Sequence, residues 1–374
     1  MIRIGRRDEE GILNFICTTQ QSNFQDLLLK WFHTHKRSLP WREEYIPYHV
    51  WISEIMGQQT QMERVADYFL RWIARFPSVA AVAAAPELDI LKAWEGLGYY
   101  SRARNIQKTA QLLMEVYNGD VPASHKELLS LPGIGPYTAA AILSIGFNQP
   151  WPLLDANVER VFSRLADIDQ PLKQKDTRKA LENMAAELLY RKDPRNWNQA
   201  LMEFGALVCT PKNPNCDQCP VQPFCLANKR DTVDWRPVPR EKKKVIDITM
   251  ACGILRRGNL FFIQQRLDDD IWGGLWEFPG GRLLENELPE QAVIREVAEE
   301  TEWQVTNPVP FRSVVHYYTR YRVTLHSFWC QLPPTPVQPV LHAAKDANWV
   351  TLEELGEYPY PAGHRNLVQL LQRQ

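Results

Sequence analysis

"LPGIGPYTAAAILS", residues 131–144, joins two stretches of helical periodicity, SHKELLSL (124–131) and YTAAAILSI (137–145). The glycines at 133 and 135 take Cβ atoms away from the connecting turn, and the amides at the start of the second helix point outward, so a phosphate could approach the backbone there. A contact of that kind positions DNA without reading its sequence. On its own a Gly-x-Gly turn between helices is more often a plain connection, so the surrounding chain has to decide.

Outward from this turn the pattern stays helical from Phe24 to about Ala227. FQDLLLKWFHTH (24–35), PYHVWISEIMGQQTQMERVADYFLRWIARF (47–76), ELDILKAWEGL (87–97), SRARNIQKTAQLLMEVY (101–117), NVERVFSRLADI (157–168) and TRKALENMAAELL (177–189) all carry apolar residues three and four apart. Residues 231–245, DTVDWRPVPREKKKV, combine two prolines with a basic run and read as a linker. Beyond it the period changes. DITMACGIL (247–255), LFFIQQR (260–266), FRSVVHYYT (311–319) and YRVTLHSFWCQL (321–332) look like strands, with PEQAVIREVAEE (289–300) a helix among them. The expected organisation is an arm at 1–22, an all-α domain at 23–230, the linker at 231–245 and an α+β domain at 246–374. No internal repeat is visible.

A chain of 374 residues with 45% apolar content has material for more than one core. No apolar run reaches the roughly 18 residues of a membrane span, and the amino terminus has no apolar signal core, so an intracellular, cytoplasmic protein is expected. From Val245 onward 11 Lys and Arg stand against 16 Asp and Glu, whereas the first 244 residues hold 32 against 28. A slightly basic front half is compatible with a polyanionic partner.

Four of the seven cysteines crowd into CTPKNPNCDQCPVQPFC (209–225), giving Cys-x6-Cys-x2-Cys-x5-Cys at Cys209, Cys216, Cys219 and Cys225. In a reducing compartment such a cluster points to metal rather than disulfides. Structural zinc is one reading, although two evenly spaced Cys-x2-Cys knuckles are its commoner pattern. Cys17, Cys252 and Cys330 are scattered and read as packing residues.

Two carboxylates stand out. Glu54, in VWISEIMGQQTQ, has Trp51, Ile52, Ile55 and Met56 around it, and apolar surroundings favour a protonated acid. Asp155, in LLDANVERV, precedes a helix and reads first as its N-cap. The turn, the cysteine loop and the Asp together resemble the helix-hairpin-helix superfamily of endonuclease III, and within it the MutY-type adenine DNA glycosylases, over about two hundred residues. The uneven cysteine spacing resembles that superfamily's [4Fe-4S] loop. Bifunctional relatives carry a lysine after the turn that forms a Schiff base. Tyr137 stands there in this chain, which implies base removal without strand cleavage.

The resemblance implies Glu54 as the acid, Asp155 as stabiliser of the cationic sugar, and Tyr137 and Asn157 as positioning residues, in a reaction akin to glycoside hydrolysis. Adenine must be flipped out of the stack. Gln58, Gln59, Thr60, Leu97 and Tyr99 are then candidates to fill the gap and touch the opposite base, with Gly133 and Gly135 at the phosphate. Relatives usually have Leu before the two glutamines; Gly57 stands here.

In the second domain GRLLENELPEQAVIREVAEETEW (281–303) fits a Nudix box through Gly281, Glu287, Arg295, Glu296, Val297, Glu299, Glu300 and Trp303, with Glu302 replacing the last glycine. In Nudix hydrolases such glutamates hold Mg2+ against a diphosphate; in adenine glycosylases the fold reads 8-oxoguanine. The family's Phe-Ser-His loop corresponds here to Tyr318, Thr319 and Arg320. The expectation is a monomeric enzyme that removes adenine paired with 8-oxoguanine or guanine in double-stranded DNA. A shifted mismatch preference, and an active nucleotide pyrophosphohydrolase in the second domain, are the alternatives.

Overall fold

The computed structural model describes residues 18–60, 62–239, 244–334 and 338–373. Cys17 and most of the expected amino-terminal arm lie outside the described residues. The chain divides into two compact units, residues 1–84 with 108–241 and residues 85–107 with 242–374.

In chain order the helices are α1 (Thr18–His35), α2 (Pro47–Gly57), α3 (Met62–Arg75), α4 (Val79–Ala84), α5 (Glu87–Trp94), α6 (Ser101–Tyr117), α7 (His125–Ser130) and α8 (Pro136–Ala141). They continue as α9 (Ala156–Leu165), α10 (Lys175–Glu187), α11 (Pro194–Leu207), α12 (Leu226–Lys229), α13 (Pro289–Thr301) and α14 (Ala362–Leu371). The strands are β1 (Ile246–Arg257), β2 (Leu260–Arg266), β3 (Trp276–Glu277), β4 (Gly280–Arg282), β5 (Thr306–Tyr318), β6 (Tyr321–Gln331) and β7 (Ala344–Thr351).

The first unit is helical. Its main core joins Phe24, Leu28, Trp31 and Phe32 of α1 to Val158, Val161, Phe162 and Leu165 of α9 and to Trp197, Leu201 and Phe204 of α11. The spacing of four, seven and eight along α1 places its apolar side chains on one face, and each such burial contributes about 2 kcal/mol. Helix α1 starts inside the stretch expected as an arm because the Gln21 and Gln25 amides donate to the carbonyls of Glu187 and Leu188 at the end of α10. Part of the expected linker is likewise fastened down, since Arg164 donates to the carbonyls of Val233 and Arg236. Helix α8 continues into a π-helical turn, Ile142–Gly146, that packs with Val50 and Leu153.

In the second unit a seven-stranded mixed sheet runs β3-β2-β1-β6-β5, with β4 on β1 and β7 on β2. Strands β1 and β6 are parallel; the other pairs are antiparallel. Alternate residues of a strand face opposite sides, and β1 shows it. Cys252 and Ile254 enter the core that holds Leu367, Val368 and Leu371 of α14, whereas Ala251 and Leu255 enter the core that holds Ala292, Val293 and Val297 of α13. Both sheet faces are therefore covered. The helical first region and the mixed sheet that follows it have the fold class the periodicities lead one to expect, whereas residues 85–107, expected within the helical domain, group with the second unit.

Candidate active site

The turn after α7 sends Leu131 to Pro136 directly into α8. Gly133 has φ 74°, a left-handed conformation that disfavours any other residue. Gly135 is extended, and a Cβ there would meet nothing within 4 Å, so its surroundings are open. Pro136 starts α8, and Tyr137 follows within its first turn.

The Tyr137 hydroxyl donates to Glu54 Oε2 at 2.6 Å. Glu54 stands on the last turns of α2, where Trp51, Ile52, Ile55 and Met56 are buried beside it. Burial pushes its carboxyl up to about 7, the Tyr137 bond opposes that, and the nearby Asp155 charge adds to it. Tyr137 is itself shifted upward by burial and by the two carboxylates, so it remains a donor at neutral pH.

Asp155 caps α9. Its Oδ1 accepts from the Val158 amide at 2.7 Å and its Oδ2 from Asn157 Nδ2 at 2.8 Å. The N-cap reading and the site reading thus describe one carboxylate. Burial raises its pKa, while the Val158 and Asn157 bonds and the Arg160 charge hold it down. Asn157 Oδ1 in turn accepts from Arg160, whose guanidinium reaches the carbonyls of Gly205 at 2.6 Å and Cys209 at 2.8 Å. Helix α11 comes so close here that a Cβ on Gly205 would lie 2.7 Å from that of Asn157.

Glu54, Tyr137, Asp155, Asn157, Gln58, Gln59 and Thr60 line a single cleft of about 900 Å³ in the first unit. Gln59 is held at φ 61°, an uncommon conformation for a non-glycine residue. Gly133 and Gly135 do not line the cleft. Leu97 and Tyr99 belong to the second unit, where Leu97 is 7% exposed and the Tyr99 ring lies 5.8 Å from that of Tyr318. Thr319 and Arg320 form the two-residue tip of the β5–β6 hairpin, with Tyr318 paired to Tyr321 across it. Thr319 has φ 54°, unusual for a β-branched side chain.

The cleft also exposes residues that the sequence reading passes over, namely Arg37, Arg42, Gln199 and Glu203. Glu203 could have been suspected from its place in QALMEFGALVC (199–209), a charge within an apolar helical run. No comparable signal marks Arg42.

The four loop cysteines are free thiols lining one cavity with Val161, Phe204 and Arg164. Burial and the neighbouring sulfurs push Cys219 up to about 12, and Cys216 and Cys225 are raised as well. Four such thiols become thiolates together only against a cationic centre. Arg164 Nη1 lies 3.4 Å from Cys209 Sγ, adding positive charge beside the sulfurs. Among the described residues, no set of three or more His, Cys, Asp or Glu side chains is gathered as the ligands of a single metal ion.

On the second-unit helix α13, Arg295 is bonded to Glu287, Glu296 and Glu299. Glu300 Oε2 accepts from Gln264 and the Gly280 amide, and burial together with the nearby Glu277 charge raises this carboxyl. Glu300 and Tyr318 line a pocket with Arg266, Trp272 and Tyr321.

Comparison with known proteins places these features in families. Residues 52–187 match the HhH-GPD superfamily of base excision DNA repair proteins, residues 209–225 the iron-sulfur binding domain of endonuclease III, and residues 250–370 a NUDIX domain. An adenine DNA glycosylase of Buchnera aphidicola subsp. Schizaphis graminum is 36% identical over 257 residues, covering 68% of this chain and 74% of that protein. The Homo sapiens adenine DNA glycosylase is 30% identical over 423 residues, covering 94% of this chain and 76% of its own length. A solved thermostable thymine-DNA glycosylase superposes with a TM-score of 0.51 at 27% identity, over 57% of this chain and 98% of that one.

Proposed function

Because the chain belongs to the adenine DNA glycosylase family, we propose that Glu54 and Asp155 divide the two halves of adenine excision between them. The enzyme is a base-excision-repair glycosylase that hydrolyses the N-glycosidic bond of adenine, and it carries a [4Fe-4S] cluster in the loop 209–225. Cys209, Cys216, Cys219 and Cys225 would hold that cluster, which supplies the positive centre that lets four thiolates close the loop.

The observation that carries the assignment of roles is the Tyr137–Glu54 bond in a cleft shared with Asp155. Tyr137 occupies Glu54 Oε2, which leaves the proton of the acid to Oε1. That proton passes to a ring nitrogen of the flipped adenine, and the C1′–N9 electron pair leaves with the base. Asp155, held by Val158 and Asn157, meets the positive charge that develops at C1′. Water then completes the abasic site. A phenol at position 137 has no amine with which to form an imine, so the strand stays intact.

The substrate we assign is adenine opposite 8-oxoguanine or guanine in double-stranded DNA, acted on by a monomer in the cytoplasm. Gln58, Gln59 and Thr60 fill the gap, Gly133 and Gly135 meet a phosphate, and Tyr318, Thr319 and Arg320 read the opposite base. The strained Thr319 at a hairpin tip supports the last assignment, since such strain gathers at ligand-contacting loops. Among the described residues no helix is long and apolar enough to cross a membrane. Adenine release measured over a panel of mispaired duplexes, with native protein and Glu54→Gln in parallel, tests the reading. Unchanged release by Glu54→Gln would overturn the acid, and equal rates opposite every base would overturn the mispair.

A further inference from the structure

Two guanidiniums and a carboxylate line the same cleft without a part in the steps above. Glu203 of α11 is 2% exposed, and Arg42, at the end of the short turn Pro40–Arg42, is 10% exposed. Arg37 donates to Glu203 through its backbone amide at 2.8 Å, Nε at 2.9 Å and Nη2 at 3.1 Å. Arg42 Nη2 reaches Glu203 Oε2 at 2.9 Å, its Nε reaches Gln199 at 3.0 Å, and its Nη1 reaches the Arg37 carbonyl at 3.0 Å. Burial alone would raise the Glu203 carboxyl, yet the bonds from Arg37 and Arg42 bring it down to about 2. A buried ion cluster is a poor source of stability, so its position on the wall of the cleft calls for another explanation.

We propose that Glu203 is a positioning residue for adenine excision, clamping Arg42 and neutralising part of the arginine pair so that positive charge does not strip Glu54 of its proton. The proposal rests on Glu54 being the acid. The groups facing Glu54 are Tyr137 of α8, Asp155 at the start of α9 and Arg42, with Tyr137 and Arg42 favouring its ionised form and Asp155 its protonated form. Arg37 and Glu203 line the same cleft, and the exposed Glu63 of α3 lies 3.6 Å from Arg37. Arg37 and Arg42 against Glu203 and the exposed Glu63 leave no net charge in this part of the cleft. Without Glu203 one positive charge is left uncompensated, and Arg42 loses the carboxylate that pairs with it.

The test is single-turnover adenine release against pH on the full-length, cluster-loaded protein with an adenine-mispaired duplex. Glu203→Gln should move the alkaline limb about one pH unit lower. Arg42→Gln should move it higher, and the double variant should return near the parent. An alkaline limb that stays in place in Glu203→Gln, with the rate lowered equally at every pH, would make Glu203 merely structural and overturn the proposal. If Glu203→Gln does not fold, Arg42→Gln decides alone, and an unmoved limb there also overturns it. Glu54→Gln separates the two ideas. If it retains the parent rate, the premise itself falls; if it is inactive while the Glu203→Gln limb is unmoved, only the role of Glu203 falls.

Discussion

Tyr137 donates its only hydroxyl proton to Glu54 at 2.6 Å, so the residue that follows the hairpin turn sets the ionisation of an acid on another helix. The bond stabilises the carboxylate against a burial that favours the neutral acid. Tyr137→Phe should therefore raise the Glu54 pKa above about 7 and carry the alkaline limb of excision to higher pH, with a lower rate from the loosened carboxyl. Single-turnover rates across pH check this, and a limb displaced to lower pH would contradict it.

The same burial costs the folded state stability. A carboxyl raised from 4.5 to about 7 binds its proton more tightly when folded than when unfolded. Its contribution is fully present below pH 4.5 and is lost as pH rises through 7, on the order of 3 kcal/mol as an upper limit. Glu54→Gln should melt higher than the parent at pH 8 and equally at pH 4. Thermal scans at the two pH values decide, and a uniform destabilisation would refute the sign.

Asp155 caps a helix and, in the proposed reaction, meets the charge on the sugar, and the two duties separate by substitution. Asn keeps the cap, whereas Ala loses about 1 kcal/mol with it. Asp155→Asn should keep the cap bond from Val158 but lose the bond from Asn157, about 1 kcal/mol, while losing excision by at least about 100-fold, and Asp155→Ala should lose both bonds and excision. Denaturant titration beside the excision assay distinguishes them.

Gly205 is where α11 touches Asn157, 2.7 Å from an added Cβ. Gly205→Ala must push Asn157 away or part the helices, costing about 1–3 kcal/mol. It should slow excision by displacing the amide that holds Asp155. Full activity in a fully stable Gly205→Ala protein would show that the contact yields freely.

Replacing Cys225 by Ser removes one cluster ligand. The brown visible absorbance should fall and the loop 209–225 should become protease-sensitive, because Cys209, Cys219 and Cys225 pack on the core of α1, α9 and α11. Absorbance and limited proteolysis read both effects, and a fully coloured Cys225→Ser protein would argue against its place in the ligand set.

Much of this was legible in one dimension because the signals are periodic or local. The apolar spacing of α1 and α9, the alternation of β1 and β6, the glycine turn and the cysteine spacing each announce themselves within about twenty residues. Strands β3 and β4 were not, being two and three residues long. Strand β7 and helix α14 were missed as well, β7 because its polar residues mask the alternation. In the site, Glu54 and Asp155 stand out through their immediate neighbours. Arg42, Gln199 and Glu203 do not, because they meet across about 160 positions, and no local pattern reports a pairing that only the packing of α11 creates.

The phenol at position 137 also determines what the enzyme leaves behind. With no amine at this position to capture the sugar aldehyde, the proposed reaction ends on an unbroken strand with a coding gap, a product that still blocks faithful copying. Repair can then proceed only if a separate phosphodiester-cleaving activity takes over that gap, so slow release by this enzyme would shield the exposed sugar until the hand-over.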